Sequence, residues 1–208
     1  MGGPPVQPGA AGIVLAGGRS RRLGRDKALE TIGGQVLIRR VIDRLSQVTD
    51  GVSVVVADQA QAEGLPLDHR QQVVLDRYPG GGSLGGIFSG LEATSQEWGV
   101  VVACDMPFLN LDLIRRMLEL REGADAVVPM LKGRLEPTHA VYSKVCWPFM
   151  EQLLRTNDLK ISLFFDKVRV AYLPDADVVA LDPEGLSFFN VNSPADLERA
   201  LVLVEQGR

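Results

Sequence analysis

The chain has 208 residues, a formal charge of -4 and 46% hydrophobic side chains, the balance of a soluble folded protein with a substantial core. That acidic balance excludes a general nucleic-acid binder, and no apolar run approaches the roughly 20 residues needed to span a bilayer. Cys104 and Cys146, the two cysteines, give neither a disulfide framework nor a zinc-type cluster and suit a reducing cytoplasm.

Residues 1–11, opening MGGPPVQPGA, have no basic start and no apolar signal core, and are expected to form a flexible leader before one domain over 12–208. Gly12–Ala16 reads as a first buried strand, which Gly17-Gly18 breaks. There begins LAGGRSRRLGRDK, residues 15 to 27, with five basic residues and three glycines. It matches neither the G-x-G-x-x-G fingerprint nor the G-x-x-x-x-G-K-[ST] loop. Open α/β sheets bind ligands outside the carboxyl ends of their strands. Glycines there let backbone N–H groups approach a phosphate, while Arg and Lys neutralise it. The segment reads as a seat for a polyanion such as a nucleoside triphosphate, against the alternative of a solvated basic turn.

Leu37, Ile38, Val41, Ile42, Leu45 and Val48 fall on one helix face. Strands at Val52–Ala57 and Val73–Leu75 follow, then Tyr78–Ile87, where five glycines in ten residues precede a helical stretch. The strand Val100–Ala103 runs into Cys104-Asp105-Met106-Pro107. A carboxylate at that strand end suits Mg²⁺, which takes one or two protein carboxylates plus substrate phosphates; capping of the next turn is the alternative for Asp105. Cys104 reads as a small buried hydrophobe. Asn110 is placed to cap a helix carrying Leu111, Ile114, Met117 and Leu118. After a strand at Ala126–Pro129, Ser193-Pro194-Ala195-Asp196 opens a last helix, with Leu197, Ala200, Leu201 and Val204 as its apolar stripe. Strands alternating with helices predict a single-domain, three-layer α/β/α sandwich around a mostly parallel sheet.

LAGGRSRRLGRDK, PGGGSLGGI, ACDMP, RLEPTHAVY and FFNVNSPADL, in this order, together resemble the molybdenum cofactor guanylyltransferases, within the nucleotidyltransferases of Rossmann-like fold. The resemblance covers about residues 12 to 204. One departure is Gly82-Ser83-Leu84-Gly85, where that family commonly reads G-P-L; losing the proline loosens the loop and spares its backbone contacts. The resemblance implies transfer of GMP from GTP to the terminal phosphate of molybdopterin or molybdenum-molybdopterin, releasing pyrophosphate, with Mg²⁺ as cofactor. It implies no nucleic-acid or membrane partner, and leaves room for a molybdopterin-delivering protein.

Carried over residue by residue, the resemblance gives Leu15, Ala16 and Gly17 nucleotide contacts and Gly18 the shaping of the loop. Gly82 and Leu84 also join the nucleotide side. Arg22 and Lys27 would hold phosphates and, with Asp105, carry catalysis. Asp105 would hold the metal, with Asn192 completing its shell. Asp76 would meet the N–H donors of guanine, and Asp58 the base or ribose. Asn190, Asn192, Glu136 and His139 would line the acceptor side; turn chemistry is the alternative for the two asparagines, and a structural role for His139. Two other readings stay open: cytidylyl transfer to molybdopterin or another sugar- or alcohol-phosphate, and a nucleotide-binding regulatory module without turnover.

Overall fold

The computed structural model describes residues 9–17 and 27–208. Its first strand, β1 (Ala10–Leu15), alternates faces: Val14 enters one apolar cluster and Ile13 the opposite one, as a strand buried on both sides must. A small hairpin, β2 (Thr31–Ile32) with β3 (Gln35–Val36), leads into α1 (Leu37–Leu45). The chain then runs through β4 (Val52–Val56), α2 (Gln59–Gly64), β5 (Gln71–Leu75), α3 (Gly82–Ala93) and β6 (Trp98–Ala103). The second half comprises α4 (Leu111–Glu119), β7 (Ala126–Leu131), β8 (Arg134–Leu135), β9 (Ala140–Ser143) and α5 (Trp147–Thr156). It ends with β10 (Val170–Leu173), α6 (Asp175–Leu181) and α7 (Pro194–Glu205).

The main sheet has the order β10-β7-β9-β6-β1-β4-β5, with β8 paired to β7. β1 pairs in parallel with both β4 and β6, β4 with β5, and β10 with β7. β9 runs antiparallel between β6 and β7. Residues of α1, α4 and α6 bury Ile38, Leu45, Ile114, Met117 and Val178 on one face. On the other, α3, α5 and the 3₁₀ segment Ile161–Lys167 bury Leu84, Phe88, Met150 and Phe164. Each such side chain contributes about 1.5–3 kcal/mol through burial, so the two faces lock the strand ends into fixed relative positions. A third cluster seats α7 against the β2–β3 hairpin through Ile32, Val191, Ala200 and Leu203.

Two expectations need adjustment. The first strand starts at Ala10, inside the span read as leader: Ala10 pairs with Trp98, and the Gly9 N–H donates to Asp50 Oδ2 at 2.6 Å. Both Ala10 and Ala11 are buried. In α7 the inward face carries Leu197, Ala200, Leu203 and Val204, and Leu201 is exposed. Ser193 and Asn110 do cap their helices, accepting from Asp196 N–H and from Asp112 and Leu113 N–H respectively.

Candidate active site

β4 and β5 lie to one side of β1, and after β5 the chain crosses through α3 to β6 on the other side, so the winding reverses at β1. This is the topological switch point at which open α/β sheets bind ligands. A cavity of about 610 Å³ opens there. Leu15 and Gly17 reach it from the end of β1, Ala57 and Asp58 from β4, Asp76 from β5, and Cys104 and Asp105 from β6. Gly82 and Ser83, the first residues of α3, line it as well. The N–H groups of a helix's first turn lack intrahelical acceptors, and that end of the helix favours anions.

Lys27 stands at the start of a short 3₁₀ turn. Its ammonium donates to Asp105 Oδ2 and to Asn192 Oδ1, both at 2.7 Å. Asp105 is buried, and its Oδ1 has no hydrogen-bond partner among the described residues. The segment bearing Asn192 is tied to β6 by the Val191 N–H, which donates to the Asp105 carbonyl at 2.9 Å. Three segments remote in sequence thus converge on one point.

Across the cavity, burial pushes the Asp76 carboxyl above its ordinary range, against the opposing pull of the Tyr78 N–H and the Ser89 hydroxyl. Those groups lie 3.0 and 3.1 Å from Oδ1. Asp58 caps α2, accepting the Gln61 N–H at 2.9 Å, and still faces the cavity. Gly82 holds φ +58, a left-handed conformation that favours glycine.

Residues 12–169 match the family model described as MobA-like NTP transferase domain. The chain is 42% identical over 199 residues to the "Probable molybdenum cofactor guanylyltransferase" of Pelotomaculum thermopropionicum, covering 96% of this chain and 95% of that one. It is 35% identical to the molybdenum cofactor guanylyltransferase of Desulfosudis oleivorans, covering 95% and 96%. The chain belongs to the MobA-like NTP transferase family. A solved structure, molybdopterin-guanine dinucleotide biosynthesis protein A from Archaeoglobus fulgidus, superposes with a TM-score of 0.82 at 30% identity, covering 94% of this chain and 99% of that one.

Within this MobA-like domain the residues anticipated from sequence divide into groups. Leu15, Gly17, Lys27, Asp58, Asp76, Gly82 and Asp105 line the cavity, and Asn192 joins Lys27 beside it. Gly18 and Arg22 lie outside the described residues. Ala16 stands just behind the rim, its N–H given to the Val55 carbonyl and its own carbonyl accepting from Gln61 Nε2. The Asn190 amide closes its own turn by donating to the Phe188 carbonyl at 2.9 Å.

Two of the anticipated side chains are buried away from the cavity. The Leu84 side chain is fully buried in the core beneath α3, because the third position of that helix faces the sheet. His139 is fully buried too, hydrogen-bonded to Ser187 and packed on Phe188, and is not among the cavity-lining residues. Glu136 is half-buried, its carboxyl raised by burial against the opposing Arg134 charge, and stands apart from the cavity-lining residues. Ser83 and Cys104 line the cavity without having been singled out for it. Ser83 carried a usable signal, a small polar residue just after a glycine run at a helix start.

The donor set in this MobA-like domain fits a magnesium ion. Mg²⁺ prefers hard oxygen ligands and keeps several waters or phosphates, so a single carboxylate with an amide oxygen suffices. The unpartnered buried Oδ1 of Asp105 is the kind of oxygen such an ion satisfies. Among the described residues no helix is long and apolar enough to cross a membrane.

Proposed function

We infer that this chain transfers GMP from GTP to the terminal phosphate of molybdopterin, free or molybdenum-loaded, and releases pyrophosphate. The observation supporting it is the meeting of Lys27, Asp105 and Asn192 at 2.7 Å beside a switch-point cavity that Asp76 also lines. An oxygen of the acceptor phosphate attacks the α-phosphorus of GTP. The bond from that phosphorus to the bridging oxygen of the β-phosphate breaks on the opposite side. The nucleophile is already an anion, so no general base is needed. The protein's contribution is alignment and neutralisation of charge.

The Lys27 ammonium binds the triphosphate, with Arg22 as a second cation. First-turn N–H groups of Gly82 and Ser83 supply further donors, alongside the backbone of Leu15 and Gly17. The Asp76 carboxylate accepts from the N–H edge of guanine, and Asp58 from the ribose or base. Asp105 and Asn192 hold Mg²⁺, which when bound supplies counter-charge to the triphosphate. The setting is the cytoplasm, in keeping with two free cysteines.

Thermal melts with GTP, CTP, ATP and UTP in the presence of Mg²⁺ test the base assignment. A ligand at about 100 times its Kd adds roughly 2.7 kcal/mol, enough to rank the four. GTP ranks first, and pyrophosphate appears when GTP and molybdopterin are both present. CTP ranking first would transfer the reading to cytidylyl chemistry. Stabilisation by GTP with no pyrophosphate release would leave a regulatory nucleotide-binding module.

A further inference from the structure

The nucleotide side of the cavity rests on sheet strands and α3, but Asn192 rests on an irregular segment between α6 and α7. What holds that segment is a buried polar cluster that takes no part in the chemistry above. Asp182, itself buried, accepts the Leu186 N–H at 3.1 Å and the Ser187 N–H at 2.8 Å, shaping a 3₁₀ turn over Leu186–Phe188. The fully buried Ser187 hydroxyl accepts the Asn110 N–H at 3.0 Å, which joins the turn to the N-cap of α4. The same hydroxyl lies 2.8 Å from His139 Nε2. The next residue, Phe188, meets the His139 ring edge-on, with centroids 4.8 Å apart. Five residues beyond Ser187 comes Asn192.

We propose that His139 is a positioning residue: its hydrogen bond to Ser187 fixes the turn that delivers the Asn192 carboxamide to Lys27 and Asp105. This proposal rests on the functional reading above. The geometry explains why a histidine occupies a fully buried position. A buried hydroxyl that accepts the Asn110 N–H still needs a partner for its own proton, and the imidazole stands beside it from the residue just before β9 while filling the space beside Phe188. Without that bond the turn loses its tie to the His139 ring and keeps those to Asp182, to the Asn110 N–H and, through the Val191 N–H, to the Asp105 carbonyl. A shift of about 1 Å at Asn192 then carries roughly a 100-fold penalty in positioning. The nucleotide contacts on β1, β4 and β5 stay as they are.

Four variants test this: His139→Leu, His139→Gln, Ser187→Ala, and the double variant His139→Leu/Ser187→Ala. Thermal melts first establish which are folded. His139→Leu and Ser187→Ala each lower kcat/KM for molybdopterin by roughly 10- to 100-fold, and the double variant loses no more than Ser187→Ala alone, which already removes the bond to His139 together with the acceptor of the Asn110 N–H. His139→Gln, which keeps a polar group near the Nε2 position, recovers most of the loss. GTP affinity measured by calorimetry in EDTA stays within about twofold, as contacts distant from a substitution are unaffected.

A readout independent of turnover accompanies these. The Asn192 side-chain amide resonance, assigned in an Asn192→Asp control, moves in His139→Leu and Ser187→Ala and returns in His139→Gln. If wild-type protein does not join GTP to molybdopterin, the functional reading fails while this resonance still decides the positioning claim. Additive losses in the double variant, GTP affinity falling in step with turnover, or an unmoved resonance would each overturn it. Should His139→Leu not fold, His139→Phe, which cuts the same bond and keeps a ring beside Phe188, decides by the same measurements.

Discussion

Lys27 shows how much one ammonium constrains a site. It binds two oxygens at 2.7 Å, from Asp105 and Asn192, and both side chains of the Lys27–Asp105 pair are largely withdrawn from water, 18% and 10% exposed. Screening is weaker there than at a surface ion pair. Asp105 and Asn192 are also the residues proposed to hold Mg²⁺, and the ammonium already occupies one oxygen of each, so without nucleotide the ammonium and a divalent ion compete for the same two side chains. Once a triphosphate is bound, its oxygens give the ammonium another partner. Lys27→Met is therefore expected to bind Mn²⁺, a paramagnetic stand-in, about tenfold more tightly in the absence of nucleotide, the scale of one hydrogen bond to a charged group. The same variant binds GTP more weakly. Electron paramagnetic resonance titration reads the first effect and calorimetry the second; unchanged Mn²⁺ affinity would mean that the two cations occupy different places. Asp105→Asn is the control, since its Mn²⁺ affinity falls if the metal assignment is right.

At the scale of elements, the loop into α3 is set by a contact only glycine permits. The Gly81 N–H donates to the Tyr78 carbonyl at 2.7 Å, and a Cβ on Gly81 would lie 2.9 Å from that oxygen and 2.8 Å from Leu154 Cδ2. The leucine can rotate, but the carbonyl belongs to the turn itself and cannot. Gly81→Ala should cost about 1–3 kcal/mol of stability, measured by urea unfolding, and weaken GTP binding as the first turn of α3 shifts. A variant equally stable and with unaltered GTP affinity would show that the turn has room. The glycine run was readable in the sequence, as were the strands β1, β4, β5 and β6, whose apolar runs lead into glycine or acidic residues, and β7, whose apolar run stands out by itself. The antiparallel β9 was not. Ala140–Ser143 is four residues long, too short for a period to emerge, and its direction depends on pairing with β6 and β7. The site shows the same division. Motifs gave Lys27, Asp105 and Asn192 as chemistry, but their junction spans 78 and 165 residues of sequence and exists only through the sheet and the turn near Ser187. His139, which the resemblance put on the acceptor side, has its ring turned inward to the core, in keeping with the structural role that was its alternative.

The whole molecule is braced by that inward histidine, and its stability should record the fact. Insertion of β9 between β6 and β7 places His139 in the interior, where desolvation lowers its pKa to about 4; an imidazole in the unfolded chain titrates near 6.5. Between those values the unfolded chain binds a proton that the folded protein does not. Stability is thus fully present above about pH 6.5 and declines as the pH falls toward 4. The shift corresponds to at most about 3 kcal/mol. Asp125 acts separately: the Arg169 guanidinium and N–H hold its carboxyl below the usual range. Its contribution is present above the ordinary carboxylate pKa and is lost at still lower pH, as protonation passes through the lowered value. Urea unfolding of wild type and His139→Gln at intervals from pH 7.5 to 4.5, roughly bracketing the histidine range, separates the two groups. Wild type loses stability steeply across this window and the glutamine variant loses markedly less, since it carries no group at position 139 to protonate. Parallel curves would show that the imidazole takes up its proton in the folded state, and with it that the contact to Ser187 tolerates a charge.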